Sequence, residues 1–216
     1  MLYRHLLSLG LAGLVLGAAA QAAAVSDDRG TSRRFVKESV SVAPVGAFPA
    51  LPDGSLPEVD GTSVLIRTKA GVGFTLGTTA LAPEAPYTAW WVTFNRPREC
   101  FTPYACGAVD LDNAAAKVGV FFAAGRLTDA HGQASFAAQV DYGELPEGED
   151  QVPNPARANP VEPGAEIHIL LRAHGPALED PEALEAQLTQ INGGCPPNTC
   201  ANVQASVHLS PKARRR

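Results

Sequence analysis

The stretch Tyr87-Thr88-Ala89-Trp90-Trp91-Val92-Thr93-Phe94-Asn95 decides the fold, because most of its positions hold aromatic or β-branched residues. Such side chains fit the pleated surface of a β-sheet. Alternate positions of a strand point to opposite faces, so Trp91 and Asn95 share one face. Pro86 and Pro97 flank the stretch, as expected where a hydrogen-bonded ladder must stop. We therefore predict a strand over residues 87–95.

Segments with a two-residue period lie on both sides of this strand. Residues 118–128 are apolar on both faces, which is typical of a central strand. The polar turn 129–132 leads into a further strand over 134–142, so 118–142 is predicted to be a β-hairpin. The remaining predicted strands cover residues 63–69, 72–76, 166–174 and 202–209, with a short β-like stretch at Ser39–Val42.

Two late strands each combine an apolar and a polar face. In residues 166–174 the apolar side chains are Ile167, Ile169 and Leu171. In residues 202–209 the apolar side chains are those of Val203, Ala205, Val207 and Leu209, and the polar ones are those of Asn202, Gln204, Ser206 and His208. We expect each apolar face to pack against the core and each polar face to meet water.

One helix is predicted between these two strands. Asp180 is a suitable N-cap, Pro181 suits the first helical position, apolar residues recur at i, i+4 and i+7 from Leu184, and Gly193-Gly194 end the pattern. Many short strands and one late helix predict an all-β fold, an antiparallel β-sandwich or barrel, over residues 61–210. The chain lacks the alternation of strands and helices that a parallel nucleotide-binding sheet requires.

The N-terminus has the pattern of a secretory signal peptide. Arg4 precedes an apolar run over residues 6–20, and small residues up to residue 24 offer a cleavage site. We expect residues 1–24 to be removed, giving a secreted or periplasmic protein with no membrane span; an uncleaved anchor is the alternative. Residues 25–60 are rich in Pro, Gly, Asp and Ser, which predicts a flexible leader and loop region.

The charge balance bears on the partner. Without residues 1–24 the chain carries 16 basic and 22 acidic side chains, a net charge of −6. An acidic chain without a basic stripe argues against nucleic acid as the partner. The one basic cluster lies at the C-terminus, where we expect residues 211–216 to form a solvated tail.

Four cysteines are expected to form disulfides, because an exported chain meets an oxidising compartment. Pairing Cys100 with Cys106 and Cys195 with Cys200 is favoured among the three connectivities, since each pair closes a short loop. A zinc site made of four thiolates is the alternative, although spacings of five and four intervening residues differ from the tight zinc signatures.

Four segments resemble those of a group of exported bacterial and archaeal proteins that has no established activity. They are the Trp90-Trp91 strand, the Cys100/Cys106 loop, the run from Gly164-Ala165-Glu166-Ile167-His168 to Gly175-Pro176, and the run from Asn198-Thr199-Cys200 to Val207-His208-Leu209. The resemblance covers residues 87–209 and implies the same fold and paired-cysteine loops, but no function. The acidic loop at 144–163 is longer than this group leads us to expect. Glu166-Ile167-His168 also resembles a segment of chordin-type β-sandwich domains, which bears on architecture only.

Three histidines form the candidate metal site. His168, His174 and His208 lie in or beside the last two predicted strands, and converging imidazoles suit Cu or Zn. His168 and His174 are about 20 Å apart along one strand at roughly 3.3 Å per residue, so they share a metal only if the strand bends sharply. The alternative is that these histidines hydrogen-bond to loops or solvent.

Other polar residues suggest two further sites. Glu166, His168 and Arg172 could form a ligand-binding site with Trp91 and Asn95, or a surface set of salt bridges. Oxygen ligands for Ca²⁺ could come from two acidic clusters, although both are more typical of solvated loops. These clusters are Asp110, Asp112 and Asn113, and Glu144, Glu147, Glu149 and Asp150.

The chain contains none of the familiar hydrolase, kinase or dehydrogenase motifs. We therefore expect a non-catalytic binding or interaction module, with an exposed Trp91 and the polar strand faces as its contact area. A Cu- or Zn-binding protein using the strand histidines is one alternative. A metal-free secreted hydrolase is another, because a glycosidase needs only two carboxylates.

Overall fold

The computed structural model describes residues 38–51, 54–148, 150–195 and 200–213. Their strands form one antiparallel eight-stranded sheet, which confirms the predicted all-β fold. The strands are β1 (Ser39–Ala47), β2 (Glu58–Arg67), β3 (Gly71–Thr78), β4 (Pro86–Phe94), β5 (Val118–Leu127), β6 (Ala134–Asp141), β7 (Glu166–Ala173) and β8 (Ala201–His208). The α-helix α1 (Pro181–Thr189) begins, as predicted, after the N-cap Asp180, whose side chain accepts a hydrogen bond from the backbone of Ala183.

The sheet curls until its two ends approach each other. The strand order is β5-β4-β7-β8-β1-β2-β3-β6, so β5 and β6 are the terminal strands. Phe74 of β3 nevertheless meets Trp91 of β4 edge to face, with ring centroids 4.8 Å apart. Strands far apart in the order therefore share one interior, and β5 and β6 lie beside each other. The described residues form a nearly closed barrel.

Alternating side chains fill the barrel interior. Leu65, Leu76, Phe121, Phe136 and Ile169 are fully buried there. Burying a large apolar side chain stabilises a fold by about 1.5–3 kcal/mol, so these residues fix the register of the strands that carry them.

A second layer covers the outer face of β4, which is buried on both faces. The segment between β4 and β5 folds back over this strand, and Cys100 and Cys106 pack there against Phe94 and Val118. The other outer partner is α1, which lies against β4 and β5. This double cover explains why residues 87–95 are apolar on both faces.

The predicted hairpin at 118–142 is wrong. The turn itself forms, since the backbone N–H of Gly132 donates to the carbonyl of Asp129. However, β5 pairs with β4 and β6 pairs with β3, and no ladder joins β5 to β6. The two strands instead form the seam at which the barrel stays open.

The extent of the leader and loop region also needs correction. The β-like stretch at Ser39–Val42 is part of β1, which continues to Ala47, and β2 begins at Glu58. The two strands pair along most of their length, and the register shifts between Pro44 and Val45. Proline lacks an N–H donor, so a bulge is where a sheet tolerates it.

The polar face of β8 points inward, contrary to expectation. Ile167 pairs with His208 and Ile169 with Ser206, so these side chains share the interior face of the sheet. His208 and Ser206 are each about 1% exposed, whereas Val207 is 39% exposed. Ser41 of β1 and Ser63 of β2 provide hydrogen-bond partners for His208, and a polar face can therefore be buried here.

Some predictions concern residues outside the described part of the chain. These are the signal peptide at 1–24, the leader through residue 37, and the last three residues of the basic tail. None of the helices formed by the described residues has the length and apolar character needed to cross a bilayer.

Candidate binding cleft

The predicted ligand-binding residues do not form one site. Trp91 is 1% exposed and packs in the barrel core, so its prediction as an exposed contact residue is wrong. Glu166 and His168 lie at the start of β7 and Arg172 lies near its end. Their strand is extended, which spreads the three side chains along its length.

Glu166 and His168 form a pair on the outer face of β7. The Oε1 atom of Glu166 is 3.0 Å from the Nε2 atom of His168 and accepts a second hydrogen bond from the backbone N–H of Cys106. Glu166 is fully buried, and its Oε2 atom has no hydrogen-bond partner among the described residues. The pair anchors the Cys100–Cys106 loop, which lies over β4.

Asn95 and Arg172 hold loops in place. The amide of Asn95 donates to the carbonyls of Lys117 and Pro160 and accepts from the backbone of Glu162. The guanidinium of Arg172 donates to the carbonyl of Ile191 and to two asparagine side chains, those of Asn192 and Asn202. Burial lowers the pKa of Arg172. Both side chains are occupied by contacts within the chain.

His174 is a buried, neutral imidazole with a defined tautomer. Its Nδ1 atom is 3.0 Å from the carbonyl oxygen of Gly193, which can only accept, so Nδ1 carries the proton. Nε2 then accepts from the hydroxyl of Thr88 at 2.7 Å, and that hydroxyl accepts from the indole of Trp90. Burial lowers the pKa of His174, the Gly193 carbonyl opposes this shift, and the charge of Arg172 adds to it.

The three histidines have separate surroundings. The ring of His208 lies between two serines, with Nδ1 2.9 Å from the hydroxyl of Ser41 and Nε2 2.9 Å from that of Ser63. His168 contacts Glu166 on the outer face, and His174 contacts Thr88. The predicted metal site made of all three histidines is therefore wrong, because the sheet places them on different faces and at different ends.

The cysteines form two local disulfides. Cys100 pairs with Cys106 and Cys195 with Cys200, which confirms the predicted connectivity. His174, Cys195 and Cys200 bring ligand atoms within 4.8 Å of one another, as do Cys100, Cys106 and Asp110. Zinc and copper bind the thiolate form of cysteine, which a disulfide does not offer. Both groups are thus disulfide sites in the oxidised protein.

The first acidic cluster shapes a loop. Both carboxylate oxygens of Asp110 accept backbone hydrogen bonds, from Phe101 at 2.7 Å and from Gly107 at 2.9 Å. Asp112 instead pairs with Arg157 at 2.7 Å, and the Asn113 side chain caps the short helical turn Ala114–Ala116. The three side chains diverge, and the predicted calcium site at Asp110, Asp112 and Asn113 is wrong.

A cleft of about 380 Å³ opens in the seam between β5 and β6. The aromatic rings of Trp91, Phe121 and Phe122 line it on one side; Phe122 is partly exposed, whereas Trp91 and Phe121 are almost fully buried beneath it. The opposite wall is the end of β6, and the loop that follows β6 closes one side. The full lining is Trp91, Phe121, Phe122, Ala123, Ala138, Gln139, Val140, Asp141, Glu144, Leu145 and Pro146.

A β-bulge in β5 lies beside the cleft. Ala89 pairs with Ala124 and Trp90 pairs with Phe122, so Ala123 is the extra residue on β5. A bulge bends its strand and increases the local twist. Ala123 is also one of the residues that line the cleft. Next to Ala123, the free edge of β5 is bonded to the loop that follows β6, since the N–H of Phe122 donates to the carbonyl of Gln151.

The rim of the cleft is acidic. Asp141 and Glu144 are exposed there, and the lining contains no lysine or arginine. Glu144 and the nearby Glu147 and Asp150 belong to the second predicted calcium cluster; Glu149 lies outside the described residues. Neither metal-capable group of the described residues includes these side chains. Their arrangement suits a cationic or hydrogen-bond-donating ligand.

Sequence reasoning named two residues of this cleft: Trp91, which it expected to be exposed, and Glu144, which it assigned to a calcium cluster. It missed Phe121, Ala123 and Gln139, because the prediction of a hairpin closed the gap that they line. The one available signal was that residues 118–128 are apolar on both faces. Such a strand, when it lies at the end of a sheet, must be covered by other parts of the chain.

The fold and cleft define a class: an all-β protein with a nearly closed barrel and a cleft at the open seam. Comparison with known proteins adds no family to this class, since no family model, curated protein or solved structure matches the chain. The resemblance to a group of exported proteins stays a prediction.

Proposed function

We propose that this protein is an exported, non-catalytic binding module whose ligand enters the cleft between β5 and β6. The observation that supports this proposal is the cleft at the open seam between the terminal strands, where the partly exposed Phe122 and its apolar neighbours meet an acidic rim. Aromatic surfaces contribute most of the binding energy at many protein sites, because they offer a large rigid area with little entropy to lose.

The polar residues elsewhere support a binding role over a catalytic one. Asn95, Asp110, Arg172 and His174 are each occupied by hydrogen bonds that hold loops or strands together. A general acid or base must reach a substrate proton, which these buried contacts do not favour. The cleft offers shape and apolar surface, which are the properties of a ligand site.

NMR spectra of the folded protein test this proposal. Backbone amide spectra would be recorded with three probe classes: short blocked peptides, neutral oligosaccharides and small aromatic amines. We expect at least one class to shift the amides of Phe122, Ala123 and Gln139. Shifts that cluster away from the cleft, or no shift with any class, would contradict the proposal.

A variant that fills the cleft provides the matched comparison. Ala123→Trp places a large ring in the cleft and should abolish the shifts produced by the active probe. Ala130→Trp is the control, because Ala130 is exposed in the turn between the same two strands and does not line the cleft. Equal binding by both variants would place the site elsewhere.

Export is the second part of the proposal, and intact-mass measurement tests it. The signal-like N-terminus and the two disulfides support it. We expect protein recovered from outside the cytoplasm to begin just after residue 22 or 24 and to carry two oxidised cysteine pairs. Recovery only inside the cytoplasm with an intact N-terminus would exclude export.

A further inference from the structure

We infer that the cleft takes an extended, positively charged peptide, which adds as a strand to the free edge of β6. This inference rests on the proposed binding function and names the ligand class of the same site. Three features carry it: the direction of the backbone groups on β6, the alternation of surfaces around the cleft, and the charge of its rim.

Within the described part of the chain, the backbone of β6 has hydrogen-bonding groups on its outer edge that no neighbouring strand pairs with. The N–H of Tyr142 donates to the carbonyl of Ala70, just beyond the ladder in which Val140 pairs with Val72 and Ala138 with Phe74. Hydrogen-bonded pairs recur every second residue in an antiparallel ladder, so Ala138 and Val140 direct their backbone groups to β3. The N–H and C=O groups of the intervening Ala137 and Gln139 therefore point away from β3, towards the cleft.

The β5 side of the cleft is already bonded, so the free edge belongs to β6. The N–H of Phe122 donates to the carbonyl of Gln151, and the side chain of Asn159 donates to the carbonyl of Val118. From Ala137 to Asp141 the free edge extends over about 14 Å at roughly 3.4 Å per residue. A short extended peptide matches this length, and strand addition is a common way for proteins to bind peptides.

The surfaces around the cleft determine which kinds of side chain such a peptide would need. Successive residues of an added strand point alternately to the two faces of the sheet. One set would face the interior side of the cleft, where the partly exposed side chains of Phe122 and Leu145 offer apolar surface. The other set would lie on the outer face beside the exposed Gln139 and Asp141. A peptide that alternates apolar and basic residues fits both.

Charge selects a basic peptide over an acidic one. Asp141 and Glu144 stand at the rim, Glu147 lies nearby, and no lining residue is basic. Complementary charge raises the association rate and disfavours partners of like charge. Glu144 and Glu147 belong to the acidic loop at 144–163, which is longer than the resemblance led us to expect, and they thereby gain a role in attracting a basic ligand to the cleft.

Calorimetric titration with four probes tests strand addition. The first is the blocked pentapeptide acetyl-Val-Arg-Val-Arg-Val-amide. The second has the same sequence with N-methyl groups on the backbone nitrogens of both arginines. The third carries the N-methyl groups on the backbone nitrogens of the valines instead, so that either pairing register is covered. The last replaces both arginines by glutamate. We expect the parent peptide to bind, one methylated form to bind about tenfold more weakly through lost backbone hydrogen bonds, and the glutamate form not to bind.

Two β6 variants provide the protein side of the test. Gln139→Pro removes the edge N–H that faces the cleft while leaving the bonds to β3, because that N–H does not take part in the β3–β6 ladder. Gln139→Ala is the control, since it changes the side chain and keeps the N–H. We expect Gln139→Pro to weaken binding of the parent peptide about tenfold and Gln139→Ala to change it less than about twofold.

The outcomes separate this inference from the proposed function. If Ala123→Trp blocks a ligand but neither N-methylation nor Gln139→Pro weakens peptide binding, the cleft is a ligand site and strand addition is wrong. If sedimentation shows that Gln139→Pro converts a dimer into a monomer, the occupant of the edge is a second copy, and the peptide inference is overturned. If neither the pentapeptides nor any of the NMR probe classes binds at the cleft, both the inference and the proposed function fail.

Discussion

Asp110 and Asp112 show how two nearby carboxylates acquire different roles. Asp110 is about 1% exposed and holds two backbone N–H groups, those of Phe101 and Gly107. Asp112 is a surface residue whose side chain is 87% exposed and pairs with Arg157. The sequence analysis treated both residues as candidate calcium ligands, because the pattern of carboxylates does not reveal which side chain turns inward.

Substitution of each residue by alanine should separate these roles. Asp110→Ala leaves two backbone donors near Cys106 without an acceptor, so we expect the free energy of unfolding to fall by about 2–4 kcal/mol. Asp112→Ala removes one exposed ion pair and should cost less than about 1 kcal/mol. Urea unfolding of both variants measures the difference; equal losses would refute the assigned role of Asp110.

His174 should make stability depend on pH. Burial lowers its pKa in the folded protein, whereas the unfolded chain has the ordinary value near 6.5. As the pH falls below that value, the unfolded chain binds a proton that the folded protein does not, so the free energy of unfolding decreases until the pH passes the folded pKa. Above that window the contribution of His174 is complete.

The variant His174→Asn removes this titration and retains an amide donor for the Gly193 carbonyl. We expect it to be less stable than the natural protein at neutral pH, because the hydrogen bond from Thr88 is lost. Between about pH 7.5 and about pH 5, however, its free energy of unfolding should fall less than that of the natural protein. An equal fall in both, measured by urea unfolding at each pH, would show that His174 does not titrate in this way.

Among the elements, α1 depends on a glycine in the strand beneath it. A Cβ atom on Gly125 of β5 would lie 1.8 Å from the carbonyl oxygen of Leu188, so α1 can approach β5 only where no side chain intervenes. Gly77 on β3 has open space around the corresponding position. The two glycines thus form a matched pair for substitution.

Gly125→Ala should displace α1 and destabilise the protein by about 1–3 kcal/mol through overpacking. Gly77→Ala should change stability by less than about 0.5 kcal/mol, because its methyl group meets no atom. Thermal unfolding of both variants provides the comparison. A Gly125→Ala protein as stable as the natural one would mean that the contact with α1 is not required.

The strands themselves could be predicted from sequence, but their partners could not. All the strands predicted from alternation occur, and the N-cap at Asp180 is present, since both signals are local. The prediction of a β5–β6 hairpin was wrong because the turn at 129–132 can connect two strands that pair with each other or two strands that diverge. The prediction that the polar face of β8 meets water was also wrong, because the serines that bond to His208 come from β1 and β2, which are far away in the sequence.

At the scale of the whole molecule, the seam decides what the barrel can do. A fully closed sheet presents no free edge, whereas this one leaves β6 with backbone groups directed at an aromatic cleft. The fold class followed from local periodicity, and both disulfide pairings followed from short spacings. The cleft did not, because its lining brings together β5, β6 and the loop after β6, and no local pattern marks that the two strands pair with other partners.

Hydrogen exchange of the β6 amides tests the open seam most directly. We predict alternating protection: the amides of Ala138 and Val140, bonded to β3, exchange slowly, whereas those of Ala137 and Gln139 exchange quickly and become protected when the basic pentapeptide is added. Uniform slow exchange of all four amides in the free protein would show that β5 and β6 close the barrel with a ladder, and would contradict the account.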